Sequence, residues 1–180
     1  MYGLNVACYT TIIFLNGFIM EHWITLLKAN DYLGIKKYLK IGGNPNAAEE
    51  NGESVICFAM RYHCEGEILD LLIEHGADLN HVDNEGVSVF DVAVTYNTLA
   101  IIERLIDGGF DVNRPTRRSG FTPLMGAVCY GRIEVIKKLI EKGVDITARD
   151  NHGLSALDFA RKMHKKSILA LLQGEKSGTD

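Results

Sequence analysis

Proline is scarce in this chain, three residues in 180, and tryptophan occurs once. So little proline leaves long stretches free to run as helix, and eighteen glycines supply the breaks between them. Cysteine is sparse as well: Cys8, Cys57, Cys64 and Cys129 are scattered, and no C-x-x-C pair occurs. That scatter argues against a zinc site or a disulfide framework and reads as reduced thiols in a cytoplasmic protein. The short catalytic signatures G-x-x-x-x-G-K-[ST], H-E-x-x-H and G-x-S-x-G are all missing. What remains is an ordinary globular balance, 47% hydrophobic and 23% charged, enough for a sizeable core. The net charge of −4 hides an asymmetry. Residues 1–110 carry 6 Lys or Arg against 15 Asp or Glu, a net −9, and residues 111–180 carry 13 against 8, a net +5. A field divided in this way can orient a partner and speed its encounter.

What the chain does have is a period. The clearest copy is Gly120–Ile146, GFTPLMGAVCYGRIEVIKKLIEKGVDI. Thr122 can cap a helix start, and Pro123 follows at the first helical position, where its missing N–H is tolerated. Leu124, Ala127 and Val128 recur at helical spacing and Gly131 breaks the helix. A second helix sets Ile133, Val135, Ile136, Leu139 and Ile140 to one side and its Lys, Arg and Glu residues to water, and Gly143 closes it. Two such helices cannot bury their apolar faces alone. Gly52, Gly86, Gly120 and Gly153 are spaced by 34, 34 and 33 residues, and the helix-ending Gly42, Gly76, Gly109 and Gly143 by 34, 33 and 34. Ser54, Ser88, Thr122 and Ser155 repeat the hydroxyl cap, and Ala59, Ala93, Ala127 and Ala160 repeat the small helix residue. The glycines that end the helices open GGNPN, GADLN, GFDVN and GVDIT. Several columns holding one register predict stacked helix pairs with a shared core.

A period near 33 with a T-P-L element resembles the ankyrin repeat. Only the unit at Gly120 carries the full TPL; the others read SVI, SVF and SAL, and the usual following His is absent from all of them. The resemblance implies an all-α ankyrin-repeat solenoid of about five helix-turn-helix units with short β-turn or hairpin tips. The expected units are about 20–49, 50–82, 83–116, 117–149 and 150–173, forming a domain over 20–173. The first and last act as caps, with Lys28, Lys36, Lys37 and Lys40 on the outer face of the first. Residues 174–180 are expected to fray. Residues 1–19 form an apolar extension outside the repeat frame. A membrane anchor is marginal there because Asn5, Thr10, Thr11 and Asn16 interrupt it, and a secretory signal would want a basic start and small residues at its cleavage point. A segment packed on the first repeat, or an over-long start ahead of Met20, is the reading preferred. It goes with a cytoplasmic chain; membrane-anchored or periplasmic placement is the alternative.

Catalysis finds little purchase. His63, Cys64 and Glu65 suggest a nucleophile and base on paper, but adjacent side chains diverge and these lie where a repeat turns. Gly108–Gly109 and Gly42–Gly43 end helices, which is a better account than a phosphate loop. No enzyme activity, metal or cofactor is expected. Arg114, Arg117, Arg118 and Arg149 at the tips, with Arg161, Lys162, Lys165 and Lys166, would suit phosphate, yet an isoelectric point near 5.9 argues against nucleic acid.

The expected partner is another protein, bound by a chain that is monomeric alone. Tyr62, Tyr96 and Tyr130 recur at 34-residue spacing near the ends of the first helices, where Lys162 and Met163 continue the series, and Arg61 precedes the first. Tyrosine offers a rigid face and a hydroxyl to a partner, although the same ladder also serves as packing between repeats. In proteins that look like this, short helices and tips line a concave gripping surface. The tips therefore supply Glu50, Glu53, His81, Glu85, Arg118, Phe121, Asn151 and His152, and Met125 on the first helix joins them. Arg118 and Phe121 are preferred, because arginine and aromatic anchors dominate interface energy. The action implied is inhibition, protection of the kind an immunity protein gives against a toxin, scaffolding, or a small adaptor's role in signalling.

Overall fold

The computed structural model describes residues 18–115 and 117–174. Of residues 1–19, read as an anchor, a signal or a packed extension, 1–17 lie outside the described residues and 18–19 open a helix; of the tail 174–180 expected to fray, 175–180 lie outside them as well. The chain divides into two compact units, Met1–Asn84 and Glu85–Asp180.

In the first unit, helix α1 covers 18–28 and is followed by α2 (Tyr32–Lys40), α3 (Val55–Arg61) and α4 (Gly66–Glu74). Asn30 takes a left-handed φ of 50° and Asp31 caps α2, its carboxylate accepting from the Gly34 N–H at 2.9 Å. Trp23 is fully buried, and its indole N–H donates to the Asn44 carbonyl at 3.1 Å while Tyr38 meets it edge-on at 5.0 Å. In α3 every residue from Val55 to Met60 is buried, as a helix packed on more than one side must be. Ile35 and Leu39 of α2 close the same core with Ile68 and Leu72 of α4.

The second unit holds α5 (Val89–Tyr96), α6 (Leu99–Asp107), α7 (Pro123–Tyr130), α8 (Ile133–Glu141), α9 (Ala156–Lys162) and α10 (Lys166–Leu172). α5 lies against α6 and α7, α7 against α8 and α9, and α9 against α10. The expected caps are present: Ser88, Thr122 and Ser155 each accept a backbone N–H from the third helical residue. Ser88 and Ser155 form full boxes with Asp91 and Asp158. In the first unit Ser54 occupies the cap position without a capping bond, and its hydroxyl faces the Cys57 sulfur at 3.4 Å instead. Gly131 and Gly143 take left-handed φ values of 71° and 75°, as a chain reversing after each helix requires. The second helix buries Val135, Ile136 and Leu139 but leaves Ile133 and Ile140 partly exposed, so its apolar stripe is narrower than expected.

The G-x-D-x-N column has a bonding role that its period alone does not reveal. Asp111 and Asp145 accept from the N–H two residues on, at 2.9 and 2.8 Å, which tightens the turn. Asn113 then reaches into the next repeat, donating to the Gly143 carbonyl at 3.4 Å and accepting from the Asp145 N–H at 2.6 Å. In the first unit Asn46 does the same, with Gly76 at 2.8 Å and Asp78 at 2.7 Å. The hairpin tips are slighter than strands: two of them are closed by a single antiparallel bridge, Ala48 with Ser54 and Arg149 with Ser155.

Candidate protein-binding surface

The first helices α3, α5 and α7 are buried along most of their length, so on their side of the stack the last turns and the adjoining tips present side chains to a partner. In the first unit those positions are largely engaged. The Arg61 guanidinium lies 2.6 Å from Glu53 and over the Phe58 ring at 5.1 Å. Tyr62 is half-buried, stacked on Phe58 at 6.1 Å, with the Lys28 ammonium 5.4 Å above its ring. His81 is a tip ligand to the fold: its Nε2 meets the Gly52 carbonyl at 2.6 Å. Glu53 is buried, and that burial pushes its carboxyl above the ordinary value against the pull of Arg61.

The second unit departs from expectation at three places. Met125 is 0% exposed, because α7 is covered on both sides by α5 and α9, and no partner can reach it. Phe121 is not an exposed anchor: it packs edge-on against Phe159 at 5.5 Å, with the Arg117 guanidinium 5.2 Å over its ring. Asn151 holds the tip together, its N–H donating to the Ser119 carbonyl at 2.9 Å and its amide to the Arg118 carbonyl at 2.8 Å. His152 is exposed and its backbone N–H donates to Asp150 at 2.9 Å. Arg118 and Glu85 are exposed at their tips. Arg117, grouped by sequence with the basic tips, is a scaffold cation 3.5 Å from buried Asp91.

The later members of the tyrosine series stay accessible to solvent. Tyr96 is half-buried and Tyr130 is 49% exposed at equivalent positions of neighbouring helices, and Met163, next in the series, is 46% exposed. Two cations lock these turns to one another. Arg132 donates to the Thr95 carbonyl at 3.0 and 2.5 Å, and the Lys165 ammonium donates to the Cys129 carbonyl at 3.1 Å. Each covers carbonyls left without partners at a helix C-terminus. The outer helices use their charges on pairs along the repeats, Lys138 with Glu103 at 2.9 Å and Lys142 with Asp107 at 3.8 Å.

Among the described residues, the groups that sequence offered for other chemistry are engaged by the fold. His63 is the left-handed residue ending α3, with φ 53°. The buried Cys64 thiol donates to the Leu27 carbonyl at 3.3 Å, and burial pushes it up to about 11. Cys57, Cys64 and Cys129 are free thiols, and Cys8 lies outside the described residues. Among the described residues no group of three or more His, Cys, Asp and Glu could hold a metal, and no helix is long and apolar enough to cross a membrane.

Stacked helix pairs, bonded tips and a row of outward side chains at repeat spacing define an all-α repeat solenoid of the kind that binds other proteins. A sequence pattern described as ankyrin repeats in three copies matches residues 24–116, and one described as ankyrin repeats in many copies matches 114–160. The chain belongs to the ankyrin-repeat family. Among curated proteins it is 36% identical over 95 residues to the nuclear factor NF-kappa-B p105 subunit of Gallus gallus. That match takes in 50% of this chain and 9% of the relative, so the likeness concerns a small part of the larger protein.

Proposed function

We propose that the chain binds another protein through the exposed last turns of its first helices and the adjoining tips, without catalysis of its own. The observation that carries this reading is the pair Tyr130 and Met163. Both are large, about half exposed and at equivalent positions of successive repeats, while the core closes without them. Aromatic and methionine side chains are enriched where interfaces form, and a rigid scaffold presenting them loses little entropy on binding. Inhibition or protection of the partner by covering it is the action favoured here, with a signalling adaptor as the alternative. The chicken relative is named as a subunit, part of an assembly, and that accords with either role.

Affinity capture from the native cell with the full chain, beside the Tyr130→Ser and Met163→Ser double variant, tests it. One protein retained stoichiometrically by the parent and lost by a folded variant is the expected result. Equal retention by both would move the binding site elsewhere, and retention of nucleic acid alone would overturn the reading.

A further inference from the structure

The mid-repeat turns of the second unit lack negative side chains altogether. Segments 95–98, 129–132 and 161–166 contain five Lys or Arg and no Asp or Glu. They stand together, since Arg132 reaches the Thr95 carbonyl and Lys165 reaches the Cys129 carbonyl. Those bonds also cover the partial negative charge at the C-termini of α5 and α7, which would otherwise repel an anion. Lys162, His164 and Lys166 are exposed on the same turns, beside Tyr130 and Met163. Of the elements packed here, α8 brings one negative group near this end, Glu134 in its first turn, and the Lys137 ammonium pairs with it at 3.0 Å. α7 carries no charged residue, and the one charge on α5, Asp91, is buried in its first turn. Asp158 of α9 is already engaged by Ser155, Arg149 and Arg161.

We infer that this face docks an acidic segment of the partner protein, one that sets carboxylates against Lys162 and Lys166 and an apolar or aromatic side chain against Tyr130 and Met163. The inference rests on the protein-binding reading above. An acidic peptide fits better than nucleic acid, because residues 1–110 carry a net −9 that repels an extended polyanion, whereas a short segment meets the local cations alone.

The test uses the full chain and fluorescent probes: a glutamate-rich peptide with a central tryptophan, its lysine counterpart, and a single-stranded oligonucleotide of matching charge. Anisotropy is expected to show binding of the glutamate peptide only, weakening with salt, and about tenfold weaker for Lys162→Glu with Lys166→Glu. Both sites are exposed, so the unfolding midpoint should not move. No binding of the glutamate peptide, binding indifferent to the charge reversal, or tighter binding of the oligonucleotide at the same lysines each overturns the inference. Capture of the native partner that survives the charge reversal but fails in the Tyr130→Ser and Met163→Ser variant would overturn the acidic segment while leaving protein binding intact.

Discussion

Replacing Asp91 with alanine separates a scaffold cation from a binding one. Asp91 is 2% exposed, and one carboxylate oxygen accepts from the Ser88 N–H at 3.0 Å and from the Ser88 hydroxyl at 2.6 Å. The other oxygen lies 3.5 Å from Nε of Arg117, whose side chain is 23% exposed. Alanine removes the capping box, a loss of about 1 kcal/mol. It also leaves the guanidinium without its carboxylate; a fully buried pair broken on one side loses about 3–5 kcal/mol, and the remaining exposure of Arg117 brings this nearer about 2 kcal/mol. The sum, about 3 kcal/mol, corresponds to a fall of about 6–12 °C in melting temperature for a chain of this size. Urea unfolding of the parent, Asp91→Ala, Arg117→Met and the double variant forms a cycle. Part of the loss should return in the double variant, because methionine removes the stranded charge while keeping its packing on Phe121. A loss below about 1 kcal/mol, or no coupling between the two sites, would refute the scaffold role and return Arg117 to the pool of partner contacts.

Three further outcomes are expected. Gly120 has φ +69° and a Cβ there would stand 2.7 Å from the Asn151 amide oxygen, so Gly120→Ala should lower stability by about 2 kcal/mol, read by urea unfolding. Burial raises the Glu53 carboxyl, so its contribution to folding is present below the ordinary value of 4.5 and lost as pH rises through the folded value. Glu53→Gln should therefore remove that slope and be no less stable at pH 7; a loss above about 1 kcal/mol would show that the Arg61 pairing outweighs burial. Burial holds the Cys57 and Cys64 thiols at about 11, so at pH 8 only about one in a thousand is thiolate. Native iodoacetamide treatment read by mass spectrometry should leave both unmodified until the chain is unfolded.

The helix starts and stops were legible because they depend on local chemistry: Thr122 with Pro123, and Gly131 with Gly143, act within a few residues of themselves. Another column was harder to see. Asn30, His63, Asn97, Gly131 and His164 all take left-handed φ values, but the residue changes between Asn, His and Gly, so a search for glycine alone finds one of the five. The candidate surface was less legible for a different reason. Phe121 meets Phe159 in the following repeat, and Met125 lies in a helix covered on two sides. Neither fact follows from the spacing within one copy. His81 and Asn151 look like free polar tips until the carbonyls they bind, Gly52 and Arg118, are brought beside them. Tyr130 was the better signal, since the last turn of a first helix is where the stack opens to solvent.

The measurement that bears most directly on protein binding through this face is site-specific photo-crosslinking in the native cell. A photoreactive phenylalanine replaces Tyr130 in one chain and Ile140, 37% exposed on the outer helix α8, in another. A discrete crosslinked protein from position 130, and none from 140, is the expected result. Crosslinking from 140 alone would place the partner on the outer helices and contradict the account.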